Sequence, residues 1–331
     1  MVSFKNVVTR FLKGYRRTAV FAITSRCNCR CYMCDMHKRE PQQISLENAK
    51  KVIDFLSKNK FLIVYFTGGE PTLHPDVVEI VKYANTLGLV ATMTTNGTAS
   101  KELLMELKKA GLYLLSVSLD HWNASLCEKI RNHNNIFVKQ TETLKYLNKI
   151  GLRCYALAFL NSFLVEDGVE RLIHYANNVI GVPFGFCYPT RSSINTYHLG
   201  SSLSRDGSDE KLRKSVETIL RFKKSGYEIA NLATYLEDAV NMSKGTAPNF
   251  YCRGGEDVVY IDWLGDVYPC FLKSKMFNIL KDFHLNFKEN VKCNDCFINC
   301  FREPSLLPQI WSPSLLIKEV YYSYSTNKIF K

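Results

Sequence analysis

The chain has 331 residues, 46% of them hydrophobic and 22% charged, a composition that excludes wholesale disorder and leaves room for two domains or one large barrel with an appendage. It carries 43 basic against 31 acidic residues, a net charge of +12, and 12 cysteines, too few for a disulfide-held miniprotein and more than a routine reduced enzyme needs. The first residues hold no continuous apolar signal core, and no run approaches the ~18 apolar residues of a membrane span, so the expectation is a cytoplasmic chain whose thiols serve metal or catalysis.

Residues 1–17 carry Lys5, Arg10, Lys13, Arg16 and Arg17 and no acid. Read as a helix, they place Phe4, Val7, Val8, Phe11, Leu12 and Tyr15 on one face. Two readings stand open here: a peripheral contact with an anionic membrane surface, or simple packing on the rest of the fold. An apolar strand over 18–23 runs into the first cysteines. Ser45 is placed to cap a helix bearing Leu46, Ala49, Val52, Ile53 and Leu56, and 62–66 is a strand ending in Gly68-Gly69-Glu70. Pro75 opens a helix that stops at Gly88, 89–94 is a strand turning at Asn96-Gly97, and Ser100 caps a helix ended by Gly111. A strand over 112–119, a helix over 137–150, a strand over 153–159, a helix over 165–176 and a strand over 184–188 follow. The polar stretch 191–210 reads as a long loop, and 212–224 as a helix.

Six strands alternating with helices describe βα units, hence a parallel sheet in an open or closed barrel. In such barrels chemistry gathers at the carboxyl ends of the strands. There stand the cysteines from Cys27 to Cys34, then Gly68, Gly69 and Glu70, then Asn96 and Gly97, then Asp120.

Cys27-x3-Cys31-x2-Cys34 supplies three thiolates from one loop, which would leave one iron of a [4Fe-4S] cube open to another ligand. With GGEPTL, TTNG and SVSLD following strand by strand, CNCRCYMC resembles the signature of the radical S-adenosylmethionine (radical SAM) superfamily over about residues 18–190. The resemblance implies a partial (β/α)6 barrel, a [4Fe-4S] cluster on Cys27, Cys31 and Cys34, and S-adenosylmethionine as cofactor. It implies that Gly68, Gly69 and Glu70 meet the methionine amino end, Glu70 accepting from the ammonium, and that Thr94 and Ser118 contact the cofactor. It also implies an electron donor such as a flavodoxin or ferredoxin. Met33 stands where many relatives have an aromatic residue. Cys29 is a bystander in this reading. A zinc site on all four thiols is the alternative, which the alternate C-x-C-x-C spacing fits poorly. Asn96 reads as a turn residue, and Asp120 equally as a helix cap.

The second group is Cys252-x12-Gly265-x4-Cys270, then Cys293-x2-Cys296-x3-Cys300. The segment 258–268 reads as a β-hairpin turning at Gly265 that brings Cys252 and Cys270 together. This resembles the SPASM or shorter twitch extension, and implies an auxiliary [4Fe-4S] cluster on four of these five cysteines; a small zinc knuckle is the alternative. Cys127, Cys154 and Cys187 read as buried packing residues. His121, Arg131, Tyr188 and Arg191 are further cavity candidates.

The expected organisation is a basic amphipathic segment (1–17), a barrel (18–200), a linker and helix (201–250), an auxiliary-cluster region (251–305) and an apolar tail (306–331). The expected function is radical chemistry on an unidentified substrate, a peptide, cofactor precursor or small molecule. Modification of a membrane lipid is an alternative within that chemistry, and a non-enzymatic zinc or electron-transfer protein one outside it. The charge is not arranged as a stripe with interleaved aromatics, so no nucleic-acid partner is expected.

Overall fold

The computed structural model describes residues 4–189, 209–282, 293, 294, 296–309, 313–319, 321 and 322. A short helix, α1 (Phe4–Leu12), leads into β1 (Arg17–Thr24), whose residues from Thr18 on are all buried. Five βα units follow: α2 (Leu46–Lys58), β2 (Phe61–Gly68), α3 (Val77–Thr86), β3 (Val90–Thr95), α4 (Lys101–Lys109), β4 (Leu114–Ser118), α5 (Ala124–Arg131), α6 (Ile136–Ile150), β5 (Cys154–Phe159), α7 (Ser162–Asp167), α8 (Val169–His174) and β6 (Phe184–Cys187). Each strand pairs in parallel with its predecessor, so the crossover helices all cover the outside of one curved sheet. Capping follows the chemistry of the side chains: the Ser45 and Ser100 hydroxyls accept from the backbone N–H groups of Asn48 and Leu103. Gly88 and Gly111 take positive φ (77° and 94°) where α3 and α4 stop.

Two elements depart from expectation. Residues 124–131, left unassigned by pattern, form α5, capped by Asn123 accepting from Leu126 N–H and burying Cys127 and Ile130. The single helix expected over 165–176 is instead α7, a break at Gly168 (φ 90°), then α8 running into a π-helical turn over Tyr175–Ile180. Only glycine enters that φ region without strain, so the break is dictated by one residue.

The chain then adds α9 (Asp209–Lys224), α10 (Ala233–Ser243), β7 (Val258–Ile261), β8 (Asp266–Tyr268), β9 (Phe277–Asn278), α11 (Asn299–Arg302) and α12 (Pro313–Glu319). The 258–268 hairpin forms, with Gly265 at φ 79°, and it does not stand alone: β7 pairs in parallel with β1, Thr18 against Val258 and Phe21 against Ile261. The sheet therefore has nine strands in the order β6-β5-β4-β3-β2-β1-β7-β8-β9 and is not closed. Its β6 edge is covered by residues 228–231, where Phe184 N–H donates to Glu228 O and Ala230 N–H to Phe184 O.

Two buried polar clusters fasten the C-terminal part. Arg302, 1% exposed, pairs with the fully buried Asp238 on α10 and donates to Phe250 O (3.0 Å). The amino end of α10 is closed by distant carboxylates: Glu303 accepts from Leu232 N–H (2.7 Å), and Glu319 from the N–H groups of Ala233 and Thr234. Both supply acceptors to N–H groups that the first turn of the helix leaves unpaired. Among the described residues no helix is long and apolar enough to cross a membrane. Val8 and Leu12 of α1 are exposed. The long loop expected over 191–210, Arg191 included, falls almost wholly outside the described residues.

Candidate functional site

The carboxyl ends of β1 to β4 enclose a cavity of about 150 Å³. Cys27, Cys31 and Cys34 line it from the loop after β1, Gly68, Gly69 and Glu70 from the end of β2, and Thr94 and Ser118 from β3 and β4. Every first-site candidate thus meets in one place. Cys29, Met33, Met36, Asn96 and Arg131 share the same wall.

The glycines act first on the backbone. A Cβ at Gly68 (φ 138°) would lie 2.1 Å from Thr24 O, and one at Gly69 2.3 Å from Arg26 O. Gly69 N–H donates to Thr24 O (2.8 Å) and Glu70 N–H to Arg26 O (2.7 Å). The close approach they permit is that of the cysteine loop's root to the end of β2. Glu70, 1% exposed, is similarly engaged: Oε1 accepts from Thr72 N–H and from the hydroxyls of Thr72 (2.6 Å) and Thr95 (2.8 Å), and Oε2 from Asn96 N–H (2.6 Å). Burial pushes its pKa up while these donors hold it down. One lone pair of Oε2 remains for a ligand in the cavity.

Asn96 does more than turn the chain. Its Nδ2 donates to Asn28 Oδ1 (2.7 Å) and Cys29 Sγ (3.3 Å), stitching the cysteine loop to β3, while Oδ1 accepts from Thr98 N–H and Oγ1. Asp120 does not cap a helix. It accepts from Arg131 Nε and from Phe159 N–H (2.8 Å), and Arg131 Nη1 in turn reaches Cys31 Sγ at 3.7 Å. The neighbouring Cys29 thiol and the Arg131 charge draw the Cys31 thiol below its ordinary range against the effect of burial. Burial pushes Cys27 up to about 12 and Cys34 to about 11. His121 stands outside the lining, fully buried, with Nδ1 accepting from Asn123 N–H. Tyr188 stacks on Phe297 at 4.8 Å.

The second group assembles through backbone pairing. Cys252 N–H donates to Cys293 O (2.9 Å), and the thiols of Cys252, Cys270, Cys293 and Cys296 lie within mutual electrostatic reach. Cys300 lies beside Cys187, within electrostatic reach of its thiol, and its own Sγ donates to Asn299 Oδ1 (4.0 Å). Cys187 is therefore a partner of Cys300 rather than an isolated packing residue. Cys127 and Cys154 do pack as core thiols, donating to Gln140 Oε1 (3.1 Å) and Leu144 O (3.9 Å).

The donor set suits iron–sulfur chemistry at both places. Cys27, Cys34, Cys252, Cys270 and Cys296 each accept a bond from the backbone N–H two residues on, at Cys29, Met36, Gly254, Leu272 and Ile298. Such bonds stabilise a thiolate, which is the ligating form. The Arg131 cation offsets the negative charge that three thiolates would gather. Among the described residues no three Cys, His, Asp or Glu side chains are drawn together around a single metal ion.

Residues 21–179 match the family model described as the Radical SAM superfamily. The barrel belongs to that superfamily. Members of the radical SAM superfamily are enzymes that use S-adenosylmethionine and a [4Fe-4S] cluster. The chain is 35% identical to the Fe-coproporphyrin III synthase of Methanosarcina barkeri over 34% of its own length and 29% of that protein's. It is 24% identical to the antilisterial bacteriocin subtilosin biosynthesis protein AlbA of Bacillus subtilis, over 88% of this chain and 61% of AlbA. The chain thus spans less than two thirds of either relative. In fold it resembles Streptococcus suis SuiB, solved with bound S-adenosylmethionine, with a TM-score of 0.65 and 18% identity over 84% of this chain and 68% of SuiB.

Proposed function

We propose that this radical SAM barrel cleaves S-adenosylmethionine reductively at a [4Fe-4S] cluster held by Cys27, Cys31 and Cys34, and that the reaction is directed at a peptide. The observation that carries the first part is the single cavity into which the three thiols, Gly68, Gly69, Glu70, Thr94 and Ser118 converge. When bound, the reduced cluster would supply one electron to the sulfonium of S-adenosylmethionine, breaking its C–S bond to give methionine and a 5′-deoxyadenosyl radical that takes hydrogen from an unactivated C–H bond.

The chain's own residues divide the remaining work. Glu70 offers its unused Oε2 lone pair to the amino group of the cofactor, held in place by Thr72, Thr95 and Asn96. Thr94 and Ser118 present small polar side chains at the cavity wall. Arg131, fixed by Asp120, keeps a cation beside Cys31 and is free to meet a carboxylate across the cavity.

Cys252, Cys270, Cys293 and Cys296 would hold a second [4Fe-4S] cluster, leaving Cys300 as the spare thiol. The peptide reading rests on two likenesses: AlbA serves subtilosin biosynthesis, and SuiB has been solved bound to its precursor peptide SuiA.

Anaerobic reconstitution tests both parts. About eight irons per chain are expected, with 5′-deoxyadenosine released on addition of reductant and S-adenosylmethionine. Cys31→Ala is expected to abolish release and Cys29→Ala to retain it. Bound zinc with no cleavage would overturn the reading. A peptide substrate is expected to show deuterium transfer from a labelled peptide into 5′-deoxyadenosine.

A further inference from the structure

At the opposite end of the barrel lies a second concavity, a groove of about 540 Å³. Its lining is strongly one-signed: Arg16, Arg17, Lys58, Lys60 and Arg253 against the single carboxylate of Asp257. Three separate segments supply these cations: the entry to β1, the end of α2 and the loop before β7.

The walls of the groove are fixed, while its two lysines are exposed. Arg17 spans all three segments, donating to Asn59 O (3.1 Å) and pairing with Asp257 (3.8 Å). Arg253 takes up both Asp257 and Glu256. The local acids are thereby consumed, and Lys58 and Lys60 are exposed with no carboxylate partner among the described residues. Lys60 also occupies the left-handed position just past the end of α2 (φ 60°), where glycine is the ordinary choice. Lys13 stands exposed beside Gly14 and extends the same field.

Position gives the groove its meaning. Arg253 directly follows Cys252, and its own N–H donates to the hydroxyl of Ser305 (2.8 Å), which donates to Phe301 O (2.6 Å) and lies beside the Cys252 thiol. The first cysteine loop is far away, because β1 runs from Arg17 at the groove to Thr24 below that loop, about 23 Å for the seven extended steps between them. A partner seated in the groove is therefore adjacent to the second thiol group and remote from the first. All five cations also keep contact with solvent, the arrangement that steers a transient protein encounter rather than one that desolvates and clamps a small anion.

We infer that this groove docks an acidic one-electron carrier protein, presenting its redox centre to the Cys252, Cys270, Cys293 and Cys296 group. The inference rests on the iron–sulfur reading of that group, and the test separates the two.

The test compares the reconstituted chain with Lys58→Glu/Lys60→Glu, using an acidic flavodoxin as probe. Lys109→Glu/Lys149→Glu, an equal charge change on exposed lysines of α4 and α6, serves as control. Direct binding to flavodoxin is expected to weaken about tenfold in the first variant and to stay within about twofold in the control, with the difference shrinking as salt is added. Release of 5′-deoxyadenosine driven by dithionite is expected to be equal in all three, whereas release driven by reduced flavodoxin falls in the first variant alone. Unchanged flavodoxin binding, or an equal loss in the control, overturns the docking site. Loss of binding to phosphatidylserine vesicles without loss of flavodoxin binding also overturns it, assigning the groove to a lipid surface. Absence of dithionite-driven cleavage in the unaltered chain would instead count against the proposed function, and the binding comparison would still judge the groove.

Discussion

The thiol of Cys300 on α11 stands beside the thiol of Cys187 at the end of β6, close enough for the two to interact. This contact takes Cys300 out of the group formed by Cys252, Cys270, Cys293 and Cys296. It also joins the C-terminal part to the barrel beside Tyr65, whose hydroxyl feels both thiols. Substituting the two kinds of cysteine is therefore expected to give different iron counts. Cys300→Ala should keep about eight irons per chain, whereas Cys296→Ala should keep about four. Iron and sulfide assays on the anaerobically purified variants decide it, and a drop to four in Cys300→Ala would reverse the assignment.

Arg131 touches Cys31 with one nitrogen and Asp120 with another. Hydrogen-bond partners of metal-binding side chains typically cost 10–100-fold in affinity or activity when removed. Arg131→Met is expected to lower 5′-deoxyadenosine release by about that factor. Arg131→Lys should recover only part, since an ammonium cannot bridge both partners in one plane. Equal rates in all three forms would show that the guanidinium is a bystander.

Arg302 and Asp238 form an ion pair with almost no exposure, and Asp238 also accepts from Asn249 N–H (2.6 Å). Together they fix the approach to Cys252. Arg302→Met strands a buried carboxylate, expected to cost about 3–5 kcal/mol. Arg302→Met/Asp238→Leu should restore a large share of that loss. Urea unfolding of the iron-free chain measures both, and a double variant no better than the single would mean the pair contributes more than its own charges.

How far the sequence carried these conclusions depends on the range of the interaction. Strands buried on both faces, and helices with Ser45 and Ser100 at their caps, leave local patterns and are found from them. The cysteine loop and the segments 68–70, 94–97 and 118–120 were legible as chemistry because they recur at strand ends. The pairing of β7 with β1 left no local trace, because Thr18 and Val258 are 240 residues apart and a parallel register writes nothing into either segment. Gly168 did carry a signal, a glycine inside a short helical pattern, and it marks the break between α7 and α8. The double duty of Glu70, the Asp120–Arg131–Cys31 chain and the separation of Cys300 from its neighbours all arise from side chains meeting across the barrel, which spacing alone does not encode.

Glu303 makes a pH prediction whose sign can be worked through. It accepts from Leu232 N–H and Asn231 Nδ2, yet burial outweighs these donors and raises its carboxyl from 4.5 to about 8. Between those values the folded chain holds a proton that the unfolded chain has released, so the stability this group contributes is full below about pH 4.5 and is lost as pH rises through about 8. Lys223, buried nearby with Nζ donating to Ile229 O (2.8 Å), is lowered by burial from 10.5 to about 8. Above that value the folded chain has released a proton the unfolded chain still holds, so stability climbs again toward pH 10.5. The two limbs together place a minimum near pH 8. Glu303→Gln is expected to flatten the falling limb and Lys223→Met the rising one, each read by urea unfolding of the iron-free chain across the window. A Glu303→Gln profile parallel to that of the unaltered chain would show that Glu303 is ionised throughout, held by its two donors against the cost of burial.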